Sequence, residues 1–144
     1  MKKKIWGLVF VLAMTLMLGL SANAAEIVDS GECGAQGNNV TWTFDSEGTL
    51  TLSGEGKMVY SMTEWNGSVI FTAPWHDYRK SIINIVIEKG VNSLSQSAFY
   101  ECTNLKTVTI PYTVYEIITP FEGCGKNFII KGYENSTAQF IDLV

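Results

Sequence analysis

The stretch from Ile82 to Cys124 has the sequence IINIVIEKGVNSLSQSAFYECTNLKTVTIPYTVYEIITPFEGC, and it contains one apolar pattern twice. Five apolar positions recur at a spacing of 23 residues, and two more recur at a spacing of 22. A fixed period of roughly 20–50 residues is typical of a solenoid, in which each repeat forms one turn of a stacked coil. The pattern therefore predicts two consecutive coils. The repeated pairs are Ile82/Leu105, Ile85/Val108, Ile87/Ile110, Val91/Val114, Leu94/Ile117, Phe99/Phe121 and Cys102/Cys124.

Short strands and tight turns are predicted to alternate within each coil. The segments Ile85–Ile87 and Val108–Ile110 follow a period of two and predict strands that point two side chains inward. A short helical or 3₁₀ turn is expected at Ser97–Phe99, so that the Phe99 ring enters the core. Pro120 stands at the matching place in the second copy. Because proline is tolerated only in the first turn of such a segment, the second turn should be tighter.

The solenoid is predicted to occupy residues 82–144. Its coils span about 82–104 and 105–127. A third strand is expected at 128–131 and a C-terminal cap after it. That third strand rests on an alignment of Phe128 and Ile130 with Val108 and Ile110 at a spacing of 20.

A β-hairpin is predicted ahead of the coils, inside a lead-in module at residues 25–81. Residues 39–53 alternate apolar and polar side chains on both sides of the turn at Asp45–Gly48. Since an isolated hairpin is marginal in water, its apolar face needs a cover, and the first coil is the expected one. Residues 25–37 are expected to be a loose lead-in, and residues 57–72 to be an irregular loop or a loop with an edge strand at 69–71.

The lead-in module is predicted to end in a degenerate half-coil. Trp75 precedes Phe99 by 24 residues, and Tyr78 precedes Cys102 by 24 residues. Terminal repeats of solenoids are commonly atypical, so these larger side chains are expected to fill the Phe and Cys positions. The predicted structural core comprises Trp42, Trp75, Phe99, Cys102, Phe121 and Cys124.

The chain begins with the features of a secretory signal peptide. Met1-Lys2-Lys3-Lys4 precedes an apolar run from Ile5 to Leu20, and Ala22-Asn23-Ala24 supplies the small residues of a cleavage site. The apolar run is short against the ~20 residues of a membrane-spanning helix, so we expect removal of residues 1–24 and a protein without a membrane span. Loss of three lysines leaves 7 basic against 14 acidic residues, a net charge of −7. This charge disfavours nucleic acid as a partner.

The cysteines and the single histidine suggest no catalytic or metal site. Three cysteines in an exported chain cannot form a complete disulfide framework. Cys102 and Cys124 should stack on neighbouring coils, and because parallel side chains do not converge, we interpret them as small core residues, with a disulfide the less favoured alternative. His76 has no nucleophile, paired acid or second base predicted near it. No enzyme, metal ligand or cofactor is predicted.

The repeated motif resembles a known family. The pattern Leu105-x-x-Val108-x-Ile110-Pro111-x-x-Val114-x-x-Ile117, followed by Phe121-x-x-Cys124, is similar to the BspA-type leucine-rich repeat of bacterial surface proteins. The resemblance implies a short right-handed leucine-rich-repeat coil with a hairpin cap, a mainly β or α+β fold. It also implies a secreted or cell-surface location and a role in adhesion or protein recognition. The lead-in resembles the module that often precedes such repeats, in Cys33-Gly34, Thr41-Trp42-Thr43, Asp45-x-x-Gly48-Thr49-Leu50-Thr51, Ser53-Gly54-x-Gly56 and Ala73-Pro74-Trp75.

This pattern is compatible with two binding functions. It is also compatible with a secreted scaffold that has no strong ligand. An exported protein-recognition module would use the outward residues of the strand row. Three strands spaced ~4.8 Å apart offer only a few hundred Å², less than the ~800 Å² per partner of a standard interface, so each copy should bind weakly. A carbohydrate-binding module would instead use Tyr60 and Trp65 as stacking platforms. The outward residues of the strand row are Val86, Glu88, Thr107, Thr109, Ile129 and Lys131.

Overall fold

Ten strands and one 3₁₀ turn form the described secondary structure of the computed structural model, which describes residues 24–59, 62–66 and 68–132. Apart from Ala24, the predicted signal peptide lies outside these residues, as does the predicted C-terminal cap. The strands are β1 (Ile27–Gly34), β2 (Gly37–Asp45), β3 (Thr49–Gly54), β4 (Met62–Trp65), β5 (Ser68–Phe71), β6 (Asn84–Ile87), β7 (Ser93–Leu94), β8 (Thr107–Ile110), β9 (Glu116–Ile117) and β10 (Ile129–Gly132).

One sheet of six strands joins the lead-in module to the coils. Its order is β1-β2-β3-β6-β8-β10. The first three strands are antiparallel, as a three-stranded meander, and β3, β6, β8 and β10 are parallel. Leu50 and Leu52 of β3 pair with Ile85 and Ile87 of β6, so the hairpin continues the strand row of the solenoid. The predicted hairpin and the predicted β-rich repeat fold are confirmed.

The N-terminal segment differs from the prediction. Residues 25–37 were expected to be a loose lead-in, but Ile27–Gly34 is a full strand that pairs with β2 along its length. Most of its side chains are exposed and only Cys33 is buried, so the segment has no apolar alternation to indicate a strand. Its backbone hydrogen bonds to β2 specify the strand instead.

The irregular segment 57–72 contains a second hairpin. β4 and β5 pair antiparallel, with Met62 opposite Phe71, and form a two-stranded sheet of their own. The strand expected at 69–71 is therefore present. It pairs with β4 and not with the edge of the main sheet.

A row of stacked aromatic rings runs through the interior of the coils. Trp75 lies 5.9 Å from Phe99, Phe99 lies 5.4 Å from Phe121, and Phe121 lies 5.1 Å from Phe128 between ring centroids. Trp42 of the hairpin meets Trp75 edge-on at 6.0 Å. The aromatic residues from the half-coil and the two coils thus occupy matching places, as the repeat spacing predicts.

The predicted core is buried, with a gradient toward the last coil. Trp42, Trp75, Phe99 and Cys102 are at most 4% exposed, whereas Phe121 and Cys124 are only partly buried. Tyr78 is also partly buried, because its ring stacks on Phe44 while its hydroxyl donates to Asp29 Oδ2 of β1. The half-coil therefore connects the hairpin to the first repeat.

The turn at Ser97–Phe99 is not a helix. Ser97 and Glu101 have positive φ angles of 55° and 54°, which interrupt helical geometry. Three N–H groups (Ala98, Tyr100 and Cys102) bond to the carbonyl three residues earlier, while those of Ser97, Phe99 and Glu101 bond to the next coil. The only described 3₁₀ turn lies at His76–Tyr78. Successive N–H groups of this segment therefore alternate between local turn hydrogen bonds and hydrogen bonds to the second coil.

The third strand has a different register from the predicted one. Ile130 pairs with Val108 and Gly132 pairs with Ile110, at a spacing of 22, so the alignment of Phe128 with Val108 was wrong. Phe128 is buried just before β10 and packs against Phe121. The aromatic contact, which sequence spacing did not reveal, determines this position.

Gly90 fits the close approach of the first coil to the lead-in module. Its φ is 118°, and a Cβ there would lie 2.3 Å from the Gly54 carbonyl oxygen. Any side chain would force the two corners apart, so glycine is required where the coil meets the hairpin. The corresponding corner of the second coil carries Thr113, whose hydroxyl accepts from the Gly90 N–H.

Candidate functional site

The outward face of the six-stranded sheet is the candidate binding surface; we call it the sheet face. The alternation of each strand points one set of side chains to the core and the other set outward. The strand registers align the outward side chains into rows that cross all six strands. One row consists of Ser30, Thr43, Thr51, Val86, Thr109 and Lys131, and parallel rows add Glu32, Thr41, Thr49, Asn84, Thr107 and Ile129.

The predicted binding residues of the coils lie on this face. Glu88, Ile129 and Lys131 are exposed, and Val86, Thr107 and Thr109 are partly buried by their neighbours. The sequence prediction missed the contribution of β1, β2 and β3, which doubles the number of strands. The alternation Thr41-x-Thr43 and Thr49-x-Thr51 had indicated two outward rows in the hairpin, but not that they extend the rows of the coils.

The chemistry of the sheet face is polar and weakly charged. Threonine and serine dominate it, and Thr107 Oγ1 donates to Asn84 Oδ1 at 2.8 Å across neighbouring strands. Short side chains that are held on a sheet lose little conformational entropy on binding. The face therefore offers ordered hydroxyl groups in place of deep pockets or a strong electric field.

The structure does not describe the side chains of the two residues that are predicted to stack on sugars. Tyr60 and the side chain of Trp65 lie outside the described part of the chain, and the backbone of Trp65 ends β4. Their role in sugar binding stays a prediction.

Exposed aromatic residues occur instead on the flank of the second coil. Tyr112 and Tyr115 follow the carboxyl end of β8 and are 54% and 62% exposed. Lys89 lies over the Tyr112 ring at 5.3 Å, and Lys57 makes a 2.7 Å ion pair with Glu116 beside Tyr115. The ion pair raises the pKa of Lys57. Sequence reasoning missed this flank because the two tyrosines occupy positions that do not belong to the repeated apolar pattern.

A cavity of about 280 Å³ lies on the turn side of the coils, where the half-coil meets the first repeat. Trp75, Phe99 and Cys102 form its apolar wall, and His76 and Arg79 lie at its polar side. Arg79 is already engaged, since it donates to the His76 carbonyl oxygen at 3.0 Å and lies 3.7 Å from the Glu101 carboxylate. The cavity is thus a shallow depression in which the charge of Arg79 is partly neutralised by Glu101.

Two cysteines of neighbouring coils lie next to each other. Cys102 is fully buried, and the thiol of the partly exposed Cys124 donates to the Phe99 carbonyl oxygen at 3.0 Å, the oxygen that also accepts the Cys102 N–H at 3.3 Å. The neighbouring Cys124 thiol, together with burial, raises the pKa of Cys102, and the neighbouring Cys102 lowers the pKa of Cys124. Cys33 lies in β1, outside the coils that carry the other two cysteines, and burial raises its pKa from 9.0 to about 12. All three cysteines are free.

Within residues 24–59, 62–66 and 68–132, no group of three His, Cys, Asp or Glu side chains is arranged to hold a metal ion. The described helical structure likewise includes no helix that is long and apolar enough to cross a membrane.

Comparison with protein families identifies the repeated region. A family model described as "BspA type Leucine rich repeat region (6 copies)" matches residues 76–136. These residues are BspA-type leucine-rich repeats. The match begins inside the predicted half-coil, one residue after Trp75, and continues past β10. BspA-type repeat proteins are typically non-enzymatic and commonly bacterial surface or secreted proteins, and their repeats suggest a protein-interaction module.

The fold is also that of a solved leucine-rich repeat protein. A crystal structure of a leucine-rich repeat protein from Eubacterium ventriosum has a TM-score of 0.56 and 23% sequence identity to this chain. The likeness covers 75% of this chain and 27% of that protein, so this chain corresponds to about a quarter of its length. No curated protein matches the chain.

Proposed function

We propose that the chain is an exported, non-catalytic module that recognises an extracellular protein through the sheet face. The observation that carries the proposal is the continuity of the six-stranded sheet, because it extends the BspA-type strand row into the lead-in module. The basic and apolar start of the chain and its cleavage motif support export.

The area of the sheet face sets the expected affinity. The six strands have 8, 9, 6, 4, 4 and 4 residues. At ~3.3 Å per residue and ~4.8 Å per strand they cover on the order of 500 Å². This exceeds the area of the three repeat strands alone but stays below the ~800 Å² per partner of a standard interface. Each copy should therefore bind weakly, and multivalent display should strengthen binding.

The composition of the face sets the expected salt dependence. Its exposed charges are few, with Glu32 and Glu88 opposed by Lys131. Binding through hydroxyl groups should depend little on ionic strength, because there is little long-range charge to screen. A steep loss of binding with salt would point to another surface.

The test uses residues 25–144 displayed in multiple copies and probed against extracellular-matrix proteins and glycans. Thr109→Arg on the sheet face should abolish protein binding, and Thr51→Arg should weaken it if the lead-in module contributes. Thr103→Arg is the matched control, since Thr103 is exposed in the turn before β8. Binding that survives Thr109→Arg and Thr51→Arg would refute the proposal.

The carbohydrate alternative predicts a different result from the same assay. Glycan binding that survives Thr109→Arg but is lost with Trp65→Ala would favour a sugar-binding module. Export is tested separately, by the N-terminal sequence of the protein recovered outside the producing cell, which should begin at Ala25.

A further inference from the structure

We infer that Cys102 and Cys124 are a dithiol that closes to a disulfide between neighbouring coils, with Cys124 as the thiol that reacts first. This is a covalent modification site inside the repeats. It is independent of the sheet face and of its partner.

The backbone hydrogen bonds between the two coils imply a Cα separation of the two cysteines within disulfide range. The Phe99 N–H donates to the Pro120 carbonyl oxygen at 2.9 Å, and the Glu101 N–H donates to the Glu122 carbonyl oxygen at 2.9 Å. These bonds run alongside the cysteines and set the neighbouring coils at strand spacing, ~4.8–5.5 Å between paired Cα atoms. Disulfides span Cα distances of ~4.4–6.8 Å.

The side chains converge, contrary to the expectation from simple stacking. Parallel side chains of stacked coils would point past each other, but the Cys124 thiol donates to the Phe99 carbonyl oxygen at 3.0 Å, and the Cys102 N–H donates to the same oxygen at 3.3 Å. The Cys124 sulfur therefore lies beside Cys102. The convergence follows from a difference between the two coils. Cys124 turns toward the first coil and contacts the Phe99 carbonyl oxygen, while Cys102 keeps its place in the core.

Exposure and acidity give the two thiols different roles. Cys124 is partly exposed, so a small disulfide in solution reaches it, whereas Cys102 is 0% exposed and reacts only with its neighbour. The thiolate is the attacking form of cysteine. The neighbouring Cys102 lowers the pKa of Cys124 and so favours its thiolate.

The reaction is thiol–disulfide exchange with a low-molecular-weight disulfide, for example oxidised glutathione. The Cys124 thiolate attacks one sulfur, forming a mixed disulfide and releasing a glutathione thiolate that takes up a proton. Cys102 then loses its proton and attacks the Cys124 sulfur, which expels the second glutathione thiolate. Two protein thiols are oxidised and one glutathione disulfide is reduced.

The experiment treats the folded protein with oxidised or reduced glutathione, blocks the remaining thiols with iodoacetamide and digests it with trypsin. Lysines 89, 106 and 126 separate the two cysteines into peptides 90–106 and 107–126. Oxidised protein should yield these two peptides joined, with the loss of two hydrogens, and thiol reduction should separate them. Cys33→Ser should leave this product unchanged.

Two single variants test the order of reaction. Cys102→Ser should accumulate glutathione on Cys124, because the resolving thiol is gone. Cys124→Ser should leave Cys102 unmodified while the protein is folded. The closed form should also melt at a temperature higher by about 10 °C than the reduced form, since a loop of some 20 residues is then fixed in the unfolded chain.

Three results would overturn the inference. The first is the absence of the joined peptides after oxidation of folded wild-type protein. The second is a cross-link that includes Cys33. The third is equal trapping of glutathione by Cys102→Ser and Cys124→Ser, which would show that neither thiol is shielded.

Discussion

Truncation of Phe99 to alanine should be among the most damaging single changes in the coils. The ring is 1% exposed and lies between two other rings, 5.9 Å from Trp75 and 5.4 Å from Phe121. Removing a buried phenylalanine costs ~3–5 kcal/mol through lost burial and the cavity left behind. Two stacked contacts place this site at the upper end of that range.

The measurement is urea unfolding followed by tryptophan fluorescence and circular dichroism. The midpoint should fall by about 2–5 M urea, because a cost of ~4–5 kcal/mol is divided by a slope of ~1–2 kcal/mol per molar urea. Phe121→Ala should cost about half as much, since its ring is only partly buried. Tyr100→Ala is the surface control and should stay within about 0.5 kcal/mol of wild type.

Phe99→Leu keeps the comparison measurable if the alanine variant does not fold. It retains an apolar side chain of similar length and should cost about 1–2 kcal/mol. A cost below 1 kcal/mol for Phe99→Ala, or a larger cost for Phe121→Ala, would refute the stacked-ring account of the core.

Three further predictions concern single side chains. Trp75→Phe removes the 2.8 Å hydrogen bond from the indole to the buried Ala98 carbonyl oxygen and should cost ~1–3 kcal/mol, measured by urea unfolding beside Phe99→Leu. The pKa of Cys33 is raised from 9.0 to about 12, so between these pH values the folded state keeps a thiol proton that the unfolded state releases. The contribution of Cys33 to the free energy of unfolding is therefore intact below pH 9 and is lost as the pH rises toward 12. Cys33→Ala should remove that part of the alkaline loss, and identical pH profiles would contradict it. Lys57→Ala breaks the exposed ion pair with Glu116 and should leave the urea midpoint unchanged in 0.15 M salt.

The sequence was sufficient to predict the coils because their apolar positions repeat. Ile85, Ile87, Val108 and Ile110 recur at a constant spacing and are all at most 2% exposed. The stacked rings follow from the same spacing, since equivalent residues of adjacent coils become neighbours. Repetition therefore predicts both the strand row and the core.

The continuity of the sheet could not be predicted in the same way. Leu50 and Leu52 pair with Ile85 and Ile87 across an insertion that contains its own hairpin, so no fixed spacing links the two strands. β1 was missed for another reason. It is an edge strand with mostly exposed side chains, no apolar alternation and two glycines, so its sequence resembles a loop.

The candidate site was predicted in part. Alternation indicated which residues of β6 and β8 point outward, because successive side chains of a strand point to opposite faces. It also indicated Ile129 and Lys131, although the alignment of Phe128 was wrong, because a register error of two residues leaves each side chain on the same face. The contact between Cys102 and Cys124 was not predictable, because it depends on how the second coil orients one side chain relative to the first.

β3 has an antiparallel neighbour on one side and a parallel neighbour on the other. Every later strand of the main sheet joins by the same parallel rule, so duplicating one repeat would lengthen the sheet by ~4.8 Å without altering any earlier pairing. The hairpin therefore sets the strand spacing for the repeats that follow it. Duplication of a repeat after it would extend the sheet face and leave the pairing of β1, β2 and β3 unchanged.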